Sequence, residues 1–239
     1  MYLPPQETRH SSTVPNKKAL TAAVFAIFAS YRGRSRRRAE YVEEVAEAFA
    51  NADSVLNVEQ VGVEDLLCHT EGAEETLAVV LSLIQAGDFA IGIGRTVTMA
   101  ELYPESAEDW EELAPHEQMA CTGDVARRAI RIRQRAGEVT VRLELPGSDH
   151  MQAPGRGTEV AEDIAAAFTL IAHVLARRTK EGREATALLR SGYSQSEAAE
   201  VIGISKQAVS QRLASAGWQA EQAGWNLAVH MLARVDELG

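Results

Sequence analysis

The stretch SQSEAAEVIGISKQAVSQRLASAGW, residues 194–218, decides the reading of this chain. Ser194 stands three residues before Glu197, the spacing at which two side chains satisfy each other's backbone donors at a helix start. Ala199 falls where a first helix must approach a second closely, and Gly203 where a tight turn needs a positive φ. Ile202, Ile204, Val209 and Leu213 fall where a small three-helix core needs apolar contacts. Ser205 is placed to cap the second helix and Gly217 to end it in the left-handed region. So many unlike demands met in one window predict a helix-turn-helix.

A recognition helix enters the major groove by its N-terminal end, which makes Ser205, Lys206, Gln207, Ser210 and Gln211 the candidate reading residues. Gln pairs with adenine in bidentate fashion, Lys favours guanine or phosphate, and Ser accepts several partners. Arg212 and Arg190 suit phosphate contacts that fix register without reading sequence, and Ser194 completes the candidate DNA-binding set. The expected partner is double-stranded DNA. A homodimer is expected with it, because two half-sites one helical turn apart supply both affinity and palindrome recognition.

Whole-chain charge argues against indiscriminate nucleic-acid binding: 24 basic and 34 acidic residues leave −10, with a pI near 5.2. Between residues 177 and 217 the balance reverses. Arg177, Arg178, Lys180, Arg183, Arg190, Lys206 and Arg212 outnumber Glu181, Glu184, Glu197 and Glu200, for a net +3. A modestly positive reading head on an acidic body should bind through a few good contacts and weaken with salt. The apolar fraction of 46% supports a buried core, and 239 residues suggest two units. Cys68 and Cys121 lie in no CxxC or Cys/His spacing, which points to reduced core thiols rather than a zinc site or disulfide framework. The chain shows no signal-peptide h-region and no apolar run of membrane-spanning length, so the expectation is a cytoplasmic protein with no membrane partner.

Residues 1–18, with three prolines and little apolar content, read as a flexible tail. Residues 19–146 read as an α+β unit. A continuous apolar run over 20–29 predicts a buried strand, and helical spacing follows over 36–51. Residues 54–68 predict a hairpin turning at Gly62, residues 74–85 a helix and residues 88–94 an alternating strand. The stretch 101–117 carries seven acids and no base and reads as a solvated loop with a turn of helix at 109–113. A basic helix is predicted over 122–135 and a half-exposed edge strand over 138–145. Together these predict helices on a mostly antiparallel sheet, a ferredoxin-like arrangement, followed by an all-α domain over 158–239 beyond a Gly/Pro linker at 147–157. In the helix opening that domain, Val160, Ile164, Phe168, Ile171 and Leu175 form a near-heptad seam that either pairs two chains or docks on the chain's own sheet. A closing helix over 218–238 aligns Trp225, Val229, Leu232 and Val235, with packing into the core favoured over a dimer contact.

Three segments carry a resemblance to a known family: FASYRGRSR at 28–36, GVEDLL at 62–67, and IGIG at 91–94 with GDVARRAI at 123–130. With the order of elements and the helix-turn-helix, the chain resembles the SatD-like bacterial proteins, whose N-terminal half is similar to a class III nucleotide cyclase domain. In that family the first segment is a GDIVGSR-like loop and the second a GDEF-like turn. Cyclase chemistry needs two carboxylates facing each other across the sheet to hold two divalent metals. Here Ser30 matches the first metal aspartate, and Gly62, Val63, Glu64, Asp65 displaces the second acid by at least one place, which in a strand reverses its face. The resemblance therefore implies a catalytically inactive domain for dimerisation or sensing, with no metal, cofactor or catalytic residue. Arg32, Arg34, Arg36, Arg37 and Arg38 cluster where the family would place a substrate phosphate. They are candidates for a nucleotide effector or another anion, against the alternatives of a solvated basic turn or a partner for the acidic loop.

Three functions compete on this sequence: a DNA-binding transcriptional regulator, a nucleotide-processing enzyme or nucleotide sensor using Glu64, Asp65 and the Arg cluster, and an interaction module at RNA polymerase. The helix-turn-helix favours the first.

Overall fold

The computed structural model describes residues 24–98, 114–145 and 156–238. The α+β part consists of β1 (Val24–Tyr31), α1 (Arg38–Ala50), β2 (Asn57–Val61), β3 (Asp65–Glu71), α2 (Ala73–Ala86), β4 (Phe89–Thr96), α3 (Pro115–Ala129) and β5 (Val139–Glu144). A helical region follows: α4 (Arg156–Ala176), α5 (Lys180–Arg190), α6 (Gln195–Ile202), α7 (Lys206–Ser215), α8 (Trp218–Ala233) and a closing 3-10 turn (Arg234–Glu237). No helix among the described residues is long and apolar enough to cross a membrane.

The sheet runs β2-β3-β1-β4-β5. Its first four strands pair antiparallel in a split β-α-β order, and β5 lies parallel to β4. The sheet is thus mixed. Helix α3 makes the crossover that a parallel neighbour requires, and β5 takes the expected edge position. Strand β1 lies at the centre with all eight residues buried, as its continuous apolar run demands. The β2–β3 hairpin turns at Gly62, whose φ of 68° the tight connection requires.

One helix departs from the sequence reading. The helix expected over 122–135 starts at Pro115 and stops at Ala129. Proline fits a first turn that needs no N–H donor, and the Glu117 carboxylate accepts the Ala114 N–H there, so the chain enters the helix before the basic residues begin. Residues 130–138 form a loop instead. The acidic stretch lies outside the described residues up to 113, and its last residues open α3. The tail, residues 19–23 of the expected first strand and most of the 147–157 linker also lie outside the described residues.

The two sheet faces are covered unequally. Phe25, Ile27 and Ala29 of β1 share one core with α1, α2, α4 and α8. Ala26 and Phe28 face the other way, toward Ala126 of α3. The IGIG segment explains how α3 lies so close to that second face. A Cβ on Gly94 would overlap the backbone of Ala126, so the absence of a side chain lets α3 lie directly on β4. At the rim, Glu144 is held by Arg128 and Arg142. Burial pushes its carboxyl up, but the hydrogen bonds and charges of the two arginines prevail and leave it below the usual range.

The core does not follow the domain boundary expected at 147–157. Val160, Ile164, Phe168, Ile171 and Leu175 of α4 are all buried in the main core, as are Ala228 and Leu232 of α8 and Val235 and Leu238 beyond it. Of the two roles open to the near-heptad seam, the fold uses docking on the chain's own sheet. A buried Arg95, stacked 5.2 Å from the centre of the Phe25 ring, donates to Asp236 at 2.6 Å and fastens the closing turn to the sheet. Helices α5, α6 and α7 enclose a core of their own, with Trp218 packed against it from α8.

Candidate nucleic-acid interface

Helices α6 and α7 cover the stretch expected to form the helix-turn-helix. The Ser194 N–H donates to Glu197 Oε2 at 2.8 Å and the Glu197 N–H donates to Ser194 Oγ at 3.3 Å, so two orphan donors at the start of α6 are satisfied reciprocally. The Ser194 N–H, and after it the Ser194 hydroxyl, hold the Glu197 carboxyl below the usual range. Gly203 adopts a φ of 76°, and the N–H groups of Gly203 and Ile204 both close on the Ala199 carbonyl, at 2.9 and 3.0 Å. The turn is therefore tight. Ser205 Oγ accepts the Ala208 N–H at 3.1 Å and starts α7. Ala185, Ala198, Ala199, Val209 and Leu213 are buried together, with Ile202 and Ile204 packed against them. The turn glycine, the caps and the apolar set each occupy the place that their chemistry predicts.

This packing leaves one face of α7 outward. Ser205, Lys206, Gln207, Ser210 and Gln211 are exposed. Among the described residues the side chains of Lys206, Gln207, Ser210 and Gln211 make no hydrogen bond or ion pair. Arg212 lies farther along the helix, half-buried, with Nη1 3.5 Å from Glu184 of α5.

Arg190 stands apart from its expected role as a phosphate contact. Its Nε and Nη2 donate to Glu221 Oε1 at 2.9 and 2.7 Å, and its guanidinium lies 5.9 Å from the centre of the Trp218 ring. Glu221 is 1% exposed and also accepts from Arg178 Nη2 at 2.5 Å, while Arg178 Nε donates to the Ala216 carbonyl at 2.8 Å. Arg190 is thereby committed to a three-residue junction, centred on the buried Glu221, that joins the α4–α5 connection, the end of α5 and α8. Sequence spacing gives no hint of this junction, since Arg178, Arg190 and Glu221 are brought together only by the fold. The Gly217 φ of 66° lets the chain turn into α8 just before it.

The second candidate cluster lies at the end of β1. Ser30 sits directly across from Asp65 and donates to its Oδ1 at 2.5 Å, while Arg32 Nη1 donates to Ser30 Oγ at 2.7 Å. Asp65 therefore faces Ser30, and does not point to the opposite side of the sheet as the displaced turn predicts. The β2–β3 register places Asp65 opposite Val61 and lets the three-residue turn absorb the offset. Glu64 turns away to Arg38 at 2.6 Å, and Arg37 pairs with Glu40. Arg34 and Arg36 are exposed and have no ion pair among the described residues. One carboxylate, engaged by a hydroxyl beside a guanidinium, is what the geometry provides there.

The loop 130–138 carries a surface that a helical reading of its sequence hides. It projects Arg131, Ile132, Arg133 and Arg135 to solvent. A groove of about 1380 Å³ is lined by this loop, β5, α4 and α5, with Arg131, Arg135, Arg183 and Arg190 and the acids Glu138 and Glu162 among its residues. In comparisons with known proteins, no family model, no curated protein and no solved structure matches the chain.

Proposed function

We propose that the protein is a sequence-specific double-stranded DNA-binding transcriptional regulator, acting in the cytoplasm, with α7 as its recognition helix. One observation carries this reading: the exposed, unengaged row Lys206, Gln207, Ser210 and Gln211 on a helix whose start is capped and whose back is packed. A polar row held rigidly and left without protein partners is suited to base edges. Ser205, Ser194 and Arg212 border it and suit phosphate contacts. The α+β domain serves dimerisation or ligand sensing without catalysis, because the single carboxylate of Asp65 cannot hold the metal pair that cyclase chemistry requires. Arg34 and Arg36 are the residues of the basic cluster open to a nucleotide effector. With the α4 seam consumed by the core, a homodimer would use another face. Leu170 on α4 and Leu227 on α8 are exposed there.

Gel retardation of genomic fragments at low salt tests the reading. Wild-type protein should retard a subset of fragments, and Lys206→Ala combined with Gln207→Ala should abolish that selectivity while leaving the fold intact. Absence of any retarded fragment would sink it. Retention of a protein partner such as RNA polymerase by the double variant, without any DNA binding by the wild type, would move the assignment to an interaction module.

A further inference from the structure

Helix α4 carries a second stripe, on its outer side, distinct from the one that the core consumes. Asp163, Ala166, Leu170 and Val174 follow one another at intervals of three or four residues, and Arg177 comes three further on, one residue past the end of the helix. Such intervals set all five on one face. Leu170 is 63% exposed at the middle of the stripe, and Val174 is half-buried. Arg177 Nη1 stands 3.1 Å from His173 Nε2, which keeps its side chain on the same side of the helix. Among the described residues its guanidinium meets no carboxylate.

Helix α8 borders this stripe and runs antiparallel to α4. Arg234 Nη1 donates to Asp163 Oδ2 at 3.1 Å. Farther along α4, a Cβ on Gly224 would come within 2.7 Å of Ile171 Cγ1, and one on Gly217 within 2.9 Å of Val174 Cγ1. The chain thus advances on α4 while it retreats on α8, and the register brings Leu170 to the level of Leu227, itself 42% exposed. Ala220 and Ala223, both exposed, lie on the same side of α8 as Leu227. Two leucines among small residues therefore form the middle of a two-helix face, with Asp163 and Arg234 at one end and Arg177 at the other.

We propose that this face binds a second copy of the chain, with α4 crossing the partner's α4 antiparallel at Leu170. The stripe is symmetric about that residue: Asp163 and Arg177 stand seven places before and after it, Ala166 and Val174 four. A two-fold axis at Leu170 sets Asp163 against the partner's Arg177 and the small Ala166 against the partner's Val174, with the two leucines at the centre. An isologous contact requires that one residue meet a second while the second meets the first, and here charge and volume both comply. A partner of different sequence would place no such demand on the stripe. Leu227 joins from α8, so two helices from each copy pack together. The inference rests on the DNA-binding reading for what the pairing is for, the presentation of two α7 helices to two half-sites; the pairing itself is measured without DNA.

Sedimentation velocity on the full-length protein, at concentrations up to about 100 μM, reads the pairing. Circular dichroism verifies the fold of each variant. The wild type should dimerise, and L170D and L227D, both at exposed positions, should each raise the dimer dissociation constant at least about tenfold. Charge exchange tests the antiparallel register. R177D alone sets carboxylates against each other and D163R alone sets guanidiniums against each other, so each should weaken self-association severalfold. Mixed in equal amounts, these two variants should form a heterodimer that recovers most of the lost affinity, because both cross-pairs are then opposite in charge. A wild type that stays monomeric at the highest concentration, or a dimer that L170D and L227D leave unchanged, overturns the inference. Failure of the two charge variants to recover on mixing overturns the antiparallel register. The DNA-binding reading stands or falls separately, on gel retardation by the wild type and its loss in K206A/Q207A.

Discussion

Glu221 decides how firmly α5 is held to α8. Its carboxylate is buried with Arg178 and flanked by Arg190, so removing it strands a guanidinium in the interior. Breaking a buried pair from one side costs about 3–5 kcal/mol, much of it the desolvation of the charge left behind. Glu221→Ala should lose stability of that order in urea denaturation; a loss below about 1 kcal/mol would show that water reaches the junction. His69 makes a separate prediction at this scale. Burial holds its pKa below the ordinary 6.5, against the opposing Met119 carbonyl and Glu59, and its Nδ1 has no partner among the described residues. The unfolded chain therefore binds more protons than the folded one once the pH falls below 6.5. This contribution is complete above 6.5 and is lost as the pH drops toward the folded pKa. Denaturation midpoints at about pH 7.5 and 5.5 should differ less in His69→Gln than in the wild type. Cys68, with its thiol pushed up to about 12 by burial, plays no part in that window.

At the scale of elements, α4 shows how one pattern serves two purposes. A near-heptad of Val160, Ile164, Phe168, Ile171 and Leu175 suits a coiled coil, yet every one of these residues is buried against the chain's own sheet and α8. Periodicity specifies an apolar stripe and says nothing of what covers it. Phe168→Ala should therefore destabilise the fold by about 3–5 kcal/mol, as a core cavity does. The folded variant should keep the oligomeric state of the wild type, read by analytical ultracentrifugation. A folded variant that has lost a dimer the wild type forms would show that the stripe pairs two chains. The end of α3 teaches the converse. Basic residues 127–135 continue a helical pattern, but the Gln134 amide bonds to β4 and β5 and holds the segment as a loop. No local signal announces a bond to a strand more than forty positions away.

Across the whole molecule, the chain is woven rather than strung. The sheet's main core is completed by α4, by α8 and by the closing turn that Arg95 grips through Asp236. A fragment ending at residue 155 would expose the apolar faces of β4, β5 and α2 that these elements cover. It should fail to fold cooperatively, checked by circular dichroism and proteolysis; a sharp unfolding transition would reinstate the boundary at the linker. The same weave bears on the proposed function. Helices α4 and α8, which complete the core of the sheet, also bracket α5, α6 and α7, and the Arg178–Glu221–Arg190 junction ties α8 to α5.

The two capped helices over 195–215 are legible from sequence because their demands are local: a capping box within four residues, a left-handed glycine in a tight turn, and apolar residues at helical spacing. The central strand and the hairpin are legible for the same reason, since a buried run and a turn glycine each carry their own signature. Tertiary structure alone decided that β5 lies parallel to β4, that Asp65 faces Ser30, that Arg190 serves Glu221, and that the α4 stripe belongs to the sheet. Each of those facts depends on groups far apart in the chain, whose meeting is set by packing and by the pairing of buried charge. Nearest-neighbour chemistry determines where a helix starts; the surface it must cover determines what it does.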